Sequence, residues 1–329
     1  MNLPTHMRAM TIEHAALQMA TLSLPAVADD EVLLRVAYVG INRADLLQVE
    51  GSYAPPIGAS PLPGLEVSGA VAALGKNVTG WAIGQKTCAL LSGGGYAEYV
   101  SVPATQLLPI PENISLQEAA TLPEAAITSI MALAVEGELI AGERVLVHGG
   151  TSGLGIYMVQ VAKALGAEVF ATVGSDEKLA FLKSFGIHGI NHRASPFLDQ
   201  VMTATNGEGV DVIIDTLGAP QLASHLKLLR KGGRLVTLAM LEGNVVESVK
   251  LSGFFMKNLR WVAATLRSRT AAEKTAMVEM AREQVWPAIA AGRIKPVVDS
   301  VFPLKDAENA LKKMQERLHM GKILLEVSA

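Results

Sequence analysis

The sequence predicts an α/β protein in which a mostly β domain is interrupted by a doubly wound parallel-sheet domain. Three observations lead there. Short β-type runs separated by Gly/Pro turns fill the first 121 residues, strands and helices alternate over 122–266, and a helix-rich tail closes on an apolar strand. With 329 residues the chain suffices for about two domains at roughly 100–200 residues each.

In the first segment, 1–121, Glu31–Val39 (EVLLRVAYV) and Val67–Leu74 are strand candidates. Turn chemistry recurs between such runs, at Tyr53-Ala54-Pro55-Pro56 and at Gly93-Gly94-Gly95. In the second segment, 122–266, Arg144–His148 is a short apolar run, and a helix fits Leu154–Leu165, closed by Gly166. Glu168–Val173 is the next strand and Asp176–Phe185 the next helix, closed by Gly186. Val210–Ile214 and Arg234–Leu238 are buried-strand candidates, separated by a helix carrying Leu222, Leu226 and Leu229. This alternation means βαβ units and a parallel sheet. The third segment, 267–329, contains a helix near Ala271–Ile289, another from Asp306 as N-cap to about Arg317, and the strand Lys322–Val327. It is expected to return to the first domain, so that the second is an insertion.

Half of the residues are hydrophobic and the mean hydropathy is +0.32, enough for a large core. The formal charge is −3 with no basic block, which disfavours nucleic acid as a partner. The longest apolar stretch, around Ala125–Val135, is too short to span a bilayer, and Glu13 and His14 interrupt any secretory pattern. One cysteine, Cys88, can build neither an internal disulfide nor a thiolate cluster, and its apolar neighbours make it a buried bystander. The expectation is a soluble protein of a reducing cytoplasm.

The most informative stretch is His148-Gly149-Gly150-Thr151-Ser152-Gly153-Leu154-Gly155, which follows a strand and opens a helix. Glycines let the backbone approach a pyrophosphate, and the helix start offers unpaired N–H groups. Gly150, Gly153 and Gly155 keep the Rossmann dinucleotide pattern, and Ser152 replaces its second glycine. At the end of the following strand an NAD site places a carboxylate for the ribose 2′-hydroxyl. Here Gly174 and Ser175 leave room and a hydroxyl, while Lys178 can reach a 2′-phosphate. Asp176 and Glu177 read as favourable charge in a first helical turn behind Ser175 as N-cap. Asn191-His192-Arg193 adds a second basic contact, and NADPH is the expected cofactor.

With the segments Gly40-Ile41-Asn42-Arg43-Ala44-Asp45, Gly51–Pro56, Pro63–Gly69, Gly93–Tyr99, Leu266-Arg267-Ser268-Arg269 and Gly321-Lys322-Ile323, the chain resembles the zeta-crystallin-like NAD(P)H:quinone oxidoreductases. These belong to the medium-chain dehydrogenase/reductase superfamily, and the resemblance is closest to their tumour-suppressor-inducible branch, which shares the Ser152 variant. It implies a GroES-like catalytic domain with an inserted Rossmann domain, an active site in the cleft between them, and a homodimer paired through the strand near Leu259–Leu266. It also implies that Thr128, Thr216, Ala239, Met240, Leu241, Leu266, Arg267 and Ser268 border the cofactor, with Arg317 near the 2′-phosphate. Arg317 reads equally as a solvated last-turn cation.

Zinc alcohol dehydrogenases of that superfamily carry a Cys where this chain has Asn42 and a His where it has Leu65. Seven histidines without H-x-x-H spacing and a single cysteine supply no alternative set, so no metal is expected. The resemblance places Asn42, Asp45 and Tyr53 toward the nicotinamide, with Tyr53 as hydrogen-bond donor to the substrate oxygen. Asn42 and Asp45 read equally as turn or cap residues, and Tyr53 as a loop tyrosine packed by Pro55 and Pro56. The expected activity is reduction of quinones or similar conjugated carbonyls. The alternatives are an NADPH-dependent 2-enoyl-thioester reductase, and a non-catalytic NADPH-binding redox sensor or crystallin-like protein.

Overall fold

The structure, a computed structural model, describes residues 3–327. The chain divides into two compact units, Met1–Ile127 with Arg267–Ala329, and Thr128–Leu266.

The first unit begins with the hairpin β1 (His6–Glu13) and β2 (Ala16–Ser23). Its turn, His14-Ala15, holds both residues at positive φ, 50° and 59°, which is the twist a tight hairpin requires. The sequence contains no glycine there to announce it. Then follow β3 (Glu31–Gly40), α1 (Arg43–Val49), β4 (Glu66–Leu74), β5 (Lys86–Leu90), β6 (Tyr99–Pro103) and β7 (Leu107–Pro109). β3 and β4 cover the expected strands, and alternate residues of β3 such as Val32, Leu34 and Val36 pack in one apolar core. The short α2 (Leu116–Ala119) starts on Ser115, whose hydroxyl accepts the Glu118 N–H; α3 (Pro123–Ile130) follows it and carries the chain across the boundary at Ile127 into the second unit.

The second unit is a six-stranded parallel sheet of β8 (Arg144–Val147), β9 (Glu168–Val173), β10 (His188–Asn191), β11 (Val210–Asp215), β12 (Leu229–Thr237) and β13 (Arg260–Ala263). Helices α4 (Gly155–Ala164), α5 (Asp176–Ser184), α6 (Phe197–Ala204), α7 (Leu222–Leu228) and α8 (Ser252–Met256) lie between the strands in sequence. The order β10-β9-β8-β11-β12-β13 is doubly wound, reversing direction between β8 and β11. Leu229, expected inside the helix with Leu222 and Leu226, is instead the first residue of β12; its extended backbone (ψ 136°) ends α7 one residue earlier.

The chain then returns to the first unit through α9 (Ala271–Gln284), α10 (Trp286–Ala290), β14 (Val298–Pro303), α11 (Ala307–Gln315) and β15 (Lys322–Glu326). The single helix expected near Ala271–Ile289 is two, because Pro287 has no N–H to continue the ladder. Asp306 precedes α11 but makes no capping hydrogen bond, and Arg317 adopts the left-handed φ of 58° just past its end. β15 adds antiparallel to β3, extending the sheet β14-β15-β3-β4-β5-β7, with β6 also paired to β3. Among the described residues no helix is long and apolar enough to cross a membrane.

Candidate active site

In the parallel-sheet unit, the reversal of strand order opens a crevice beyond the carboxyl ends of β8 and β11. The loop from His148 to Leu154 leaves β8 there and enters α4. Two of its glycines are required by close approach. A Cβ on Gly150 would collide with Ala171 of β9, and one on Gly155 with the Gly149 carbonyl. Ser152 works inside the loop: its N–H donates to the Gly149 carbonyl at 3.0 Å and its hydroxyl accepts the Gly155 N–H at 3.0 Å. It thus caps the first helical donor while neighbouring amides stay available to an anion. Ser152, Leu154, Gly155, Thr216 and Leu238 line a small cavity at this point. Thr216 follows β11, and its carbonyl accepts the Leu241 N–H at 3.1 Å, which draws the Ala239-Met240-Leu241 turn beside it.

At the end of β9, Gly174 is flanked by His192 and Arg193, both within van der Waals reach of a Cβ placed there. Ser175 is the N-cap of α5, accepting the Lys178 N–H at 3.3 Å. Asp176, the residue that complicates a 2′-phosphate site, accepts a hydrogen bond from Asn191 Nδ2 at 2.8 Å. His192 is held below its ordinary pKa by burial and by the Arg193 charge, and the first turn of α5 adds the Asp176 and Glu177 carboxylates and Lys178 to the same corner.

Behind the loop lies a pair the sequence reading missed. His148 and His225 share a hydrogen bond between their Nε2 atoms at 2.9 Å, and His148 Nδ1 meets the Thr172 hydroxyl at 3.0 Å. That hydroxyl also accepts the Gly149 N–H at 3.2 Å. Burial depresses both imidazoles, His225 to about 4, and His225 Nδ1 has no partner among the described residues. Asp215 lies close to both, but its carboxylate accepts the Leu217 and Gly218 N–H groups at 2.8 and 3.2 Å.

In the β unit, Asn42 stands at the entrance to α1. Its Nδ2 donates to the Gly40 carbonyl at 3.2 Å and to Glu66 Oε1 at 3.0 Å, and its Oδ1 accepts from Lys322 Nζ at 2.7 Å. Lys322 and Glu66 form a fully buried ion pair, and the second Glu66 oxygen accepts the Glu124 N–H at 2.9 Å. Every polar atom of the Asn42 side chain is therefore engaged. Asp45 is fully buried and accepts the Asn42 N–H at 2.8 Å and the Gly64 N–H at 3.0 Å. Of its two readings, the geometry matches the cap; burial pushes its pKa up to about 6 against those hydrogen bonds.

Tyr53 is half-buried, and its pKa is raised by burial and by Glu124. The Arg267 guanidinium lies over its ring, 5.4 Å from the centroid. Arg267, expected at the cofactor by resemblance, spends its donors inside the β unit: Nε on the Ser92 carbonyl at 2.9 Å and Nη2 on Gln48 Oε1 at 2.7 Å. Of the other expected cofactor contacts, Leu266 and Thr128 are buried, and Ser268 is exposed. Arg317 is exposed, and its charge lowers the pKa of Arg43 after burial has done so. The buried Nε of Arg43 has no partner among the described residues. Arg43 was not singled out from sequence because a lone arginine carries no spacing signal.

Comparisons with known proteins agree with this geometry. Residues 28–112 match the family described as alcohol dehydrogenase GroES-like domain, and residues 153–283 the family described as zinc-binding dehydrogenase. A quinone oxidoreductase of Rattus norvegicus is 30% identical over 308 residues, covering 92% of this chain and 91% of that protein. A phenolphthiocerol/phthiocerol polyketide synthase polypeptide of Mycobacterium tuberculosis is 30% identical over 299 residues, which are 91% of this chain but 14% of the synthase. The crystal structure of CurK enoyl reductase superposes with a TM-score of 0.86 at 27% identity, over 99% of this chain and 100% of that one. GroES-like and Rossmann-type units, matched nearly end to end by a quinone oxidoreductase, identify this chain as a member of the quinone oxidoreductase-like family of medium-chain dehydrogenases/reductases, oxidoreductases that bind nicotinamide cofactors.

Proposed function

We propose that the protein is a zinc-independent, NADPH-dependent reductase of quinones or similar conjugated carbonyl acceptors. The observation that carries this reading is the half-buried Tyr53, a phenol beside a buried cation, on the same unit as an Asn42–Lys322–Glu66 cluster that leaves no ligand set for zinc. The Asn42 amide is bonded on all sides, Leu65 is apolar and buried, and Lys322 already neutralises Glu66. Those residues do not fit a catalytic zinc, and the proposed chemistry needs none.

The nucleotide-binding residues fit a dinucleotide: the Gly150–Gly155 turn admits a diphosphate against the start of α4, and a 2′-phosphate would meet Arg193 beside Gly174 with Lys178 in the next helical turn, the Asp176 carboxylate being engaged by Asn191. NADPH would supply the hydride. Conjugated carbonyls accept a hydride readily because the resulting anion is delocalised, so the chain need only orient the acceptor and stabilise the developing oxyanion. Tyr53 donates the hydrogen bond to that oxygen. Asn42 and Asp45 hold the floor of the site, as the buried cap and amide that fix the start of α1. The reading extends to a cytoplasmic homodimer paired through the open edge of β13, where Trp261 is exposed.

A second reading, reduction of a 2-enoyl thioester, is favoured by the likeness to CurK enoyl reductase. Oxidation of NADPH with 1,2-naphthoquinone against crotonyl-CoA separates the two. Faster turnover of the naphthoquinone supports our reading, and turnover of crotonyl-CoA alone replaces it with the second. Tight NADPH binding without turnover of either would make the protein a sensor.

A further inference from the structure

The loop from Tyr53 to Pro61 carries the proposed hydrogen-bond donor yet has little backbone support of its own. Within it, the one backbone bond among the described residues runs from the Ala59 N–H to the Pro56 carbonyl. Ile57 at its tip is fully exposed. A phenol on such a loop would wander unless something outside the loop fixed it.

The Arg267 guanidinium does so at both ends. At the start of the loop it covers the Tyr53 ring at 5.4 Å, with Nη1 3.5 Å from the Tyr53 carbonyl. At the far end it acts through Gln48, whose Oε1 accepts from Nη2 at 2.7 Å while its Nε2 donates to the Pro61 carbonyl at 2.8 Å. The third side of the fork, Nε, is tied to the Ser92 carbonyl at 2.9 Å, beside the Gly93–Gly95 turn. Arg267 is itself immobilised, because the buried Lys274 ammonium donates to its carbonyl at 2.8 Å and to the Ser92 hydroxyl at 2.6 Å. All of these residues belong to the same compact unit.

We propose that Arg267 is the positioning residue of Tyr53: its planar fork closes the 53–61 loop onto α1 and the Ser92 turn, and its charge, seated on the ring face, presents the phenol hydroxyl to the acceptor oxygen. The proposal rests on the reading of Tyr53 as the donor. It also gives the arginine a role apart from the cofactor. A planar cation suits the task where an ammonium would not, since three hydrogen bonds must be made in fixed directions while the delocalised charge also lies over the ring. The charge has a second effect: it favours the phenolate and so opposes the burial and the Glu124 charge that make Tyr53 a weaker acid.

The test is a double-mutant cycle of Arg267→Gln and Tyr53→Phe, with the acceptor, 1,2-naphthoquinone or crotonyl-CoA, that the wild-type protein reduces. We expect Arg267→Gln to lower kcat about 10-fold or more while the NADPH Kd, read by fluorescence titration, changes less than about 2-fold. In the Tyr53→Phe background the same substitution should have no further effect. Equal losses in both backgrounds, or a rise in NADPH Kd as large as the fall in kcat, would overturn the proposal and return Arg267 to a structural or cofactor role. Arg267→Lys keeps the charge and the fold's ionic balance, and should show the same background dependence with a smaller loss. A measurement that needs no turnover runs beside it. With tyrosine labelled at Cζ and the Tyr53 resonance identified by its absence in Tyr53→Phe, Arg267→Gln should raise the Tyr53 titration midpoint by about half a unit or more. An unmoved midpoint sinks the seating of the ring; wild-type turnover by Tyr53→Phe instead sinks the use of the phenol and leaves the seating to the resonance.

Discussion

Removal of one hydroxyl at Tyr53 leaves the ring under Arg267 and the loop in place. Tyr53→Phe is therefore expected to lower kcat by about 10- to 100-fold, with NADPH affinity unchanged. Steady-state kinetics beside a cofactor titration check both halves. At the nucleotide corner, Lys178→Ala should weaken NADPH binding at least about 10-fold and NADH little, because only the 2′-phosphate needs the extra cation. Equal weakening in calorimetric titrations would mean that Lys178 serves a part common to both cofactors. Residues of this kind were partly legible in the sequence. Ser175 follows a strand and opens a helix, and its capping hydrogen bond is as local as the pattern that announced it. Lys322 and Arg267 act across distance, and Lys322 meets an Asn42 that lies 280 residues away. No spacing rule reveals such a partner.

The same distinction runs through the elements. β9, Glu168–Val173, matches its expected bounds because a buried strand bracketed by Gly166 and Gly174 is written in local composition. The β1–β2 hairpin was missed because its turn relies on His14 and Ala15 in a conformation that favours glycine. The split between α9 and α10 was written in Pro287 but overridden by the apolar period around it. Two buried clusters tie elements together, and each makes a prediction. Lys322→Met leaves the Glu66 carboxylate buried and uncompensated between β15, β3 and α1, and should cost about 3–5 kcal/mol in urea unfolding. The His148–His225 pair joins the end of β8 to α7. His225 falls from 6.5 unfolded to about 4 folded, so its contribution is complete above pH 6.5 and disappears as pH falls through 4. Asp45, raised to about 6, works in the opposite sense: its contribution is present below 3.8 and lost as pH rises through 6. Replacing His225 by Asn should flatten the acid side of the stability profile between pH 6.5 and 4 relative to wild type, as read by urea midpoints. A parallel profile would show that the pair does not titrate with folding.

For the molecule as a whole, the fold class and the family were the most legible features, since both rest on repeated local patterns: βαβ alternation, a glycine turn before α4 and a β-rich segment punctuated by Gly and Pro. The site was less so. Asn42, Glu66 and Lys322 bring an amide, a carboxylate and an ammonium together from the start of α1, from β4 and from β15, and the sequence showed only that the usual metal ligands were missing. With a buried ammonium paired to Glu66 and the Asn42 amide fully engaged, the residues around Glu66 offer no donor set for zinc, so the proposed reduction rests on hydride transfer and hydrogen bonding. The most direct test is turnover by protein dialysed against a strong chelator and shown to be metal-free. NADPH oxidation with 1,2-naphthoquinone at the untreated rate is the predicted result; activity abolished by the chelator and restored by zinc would contradict it.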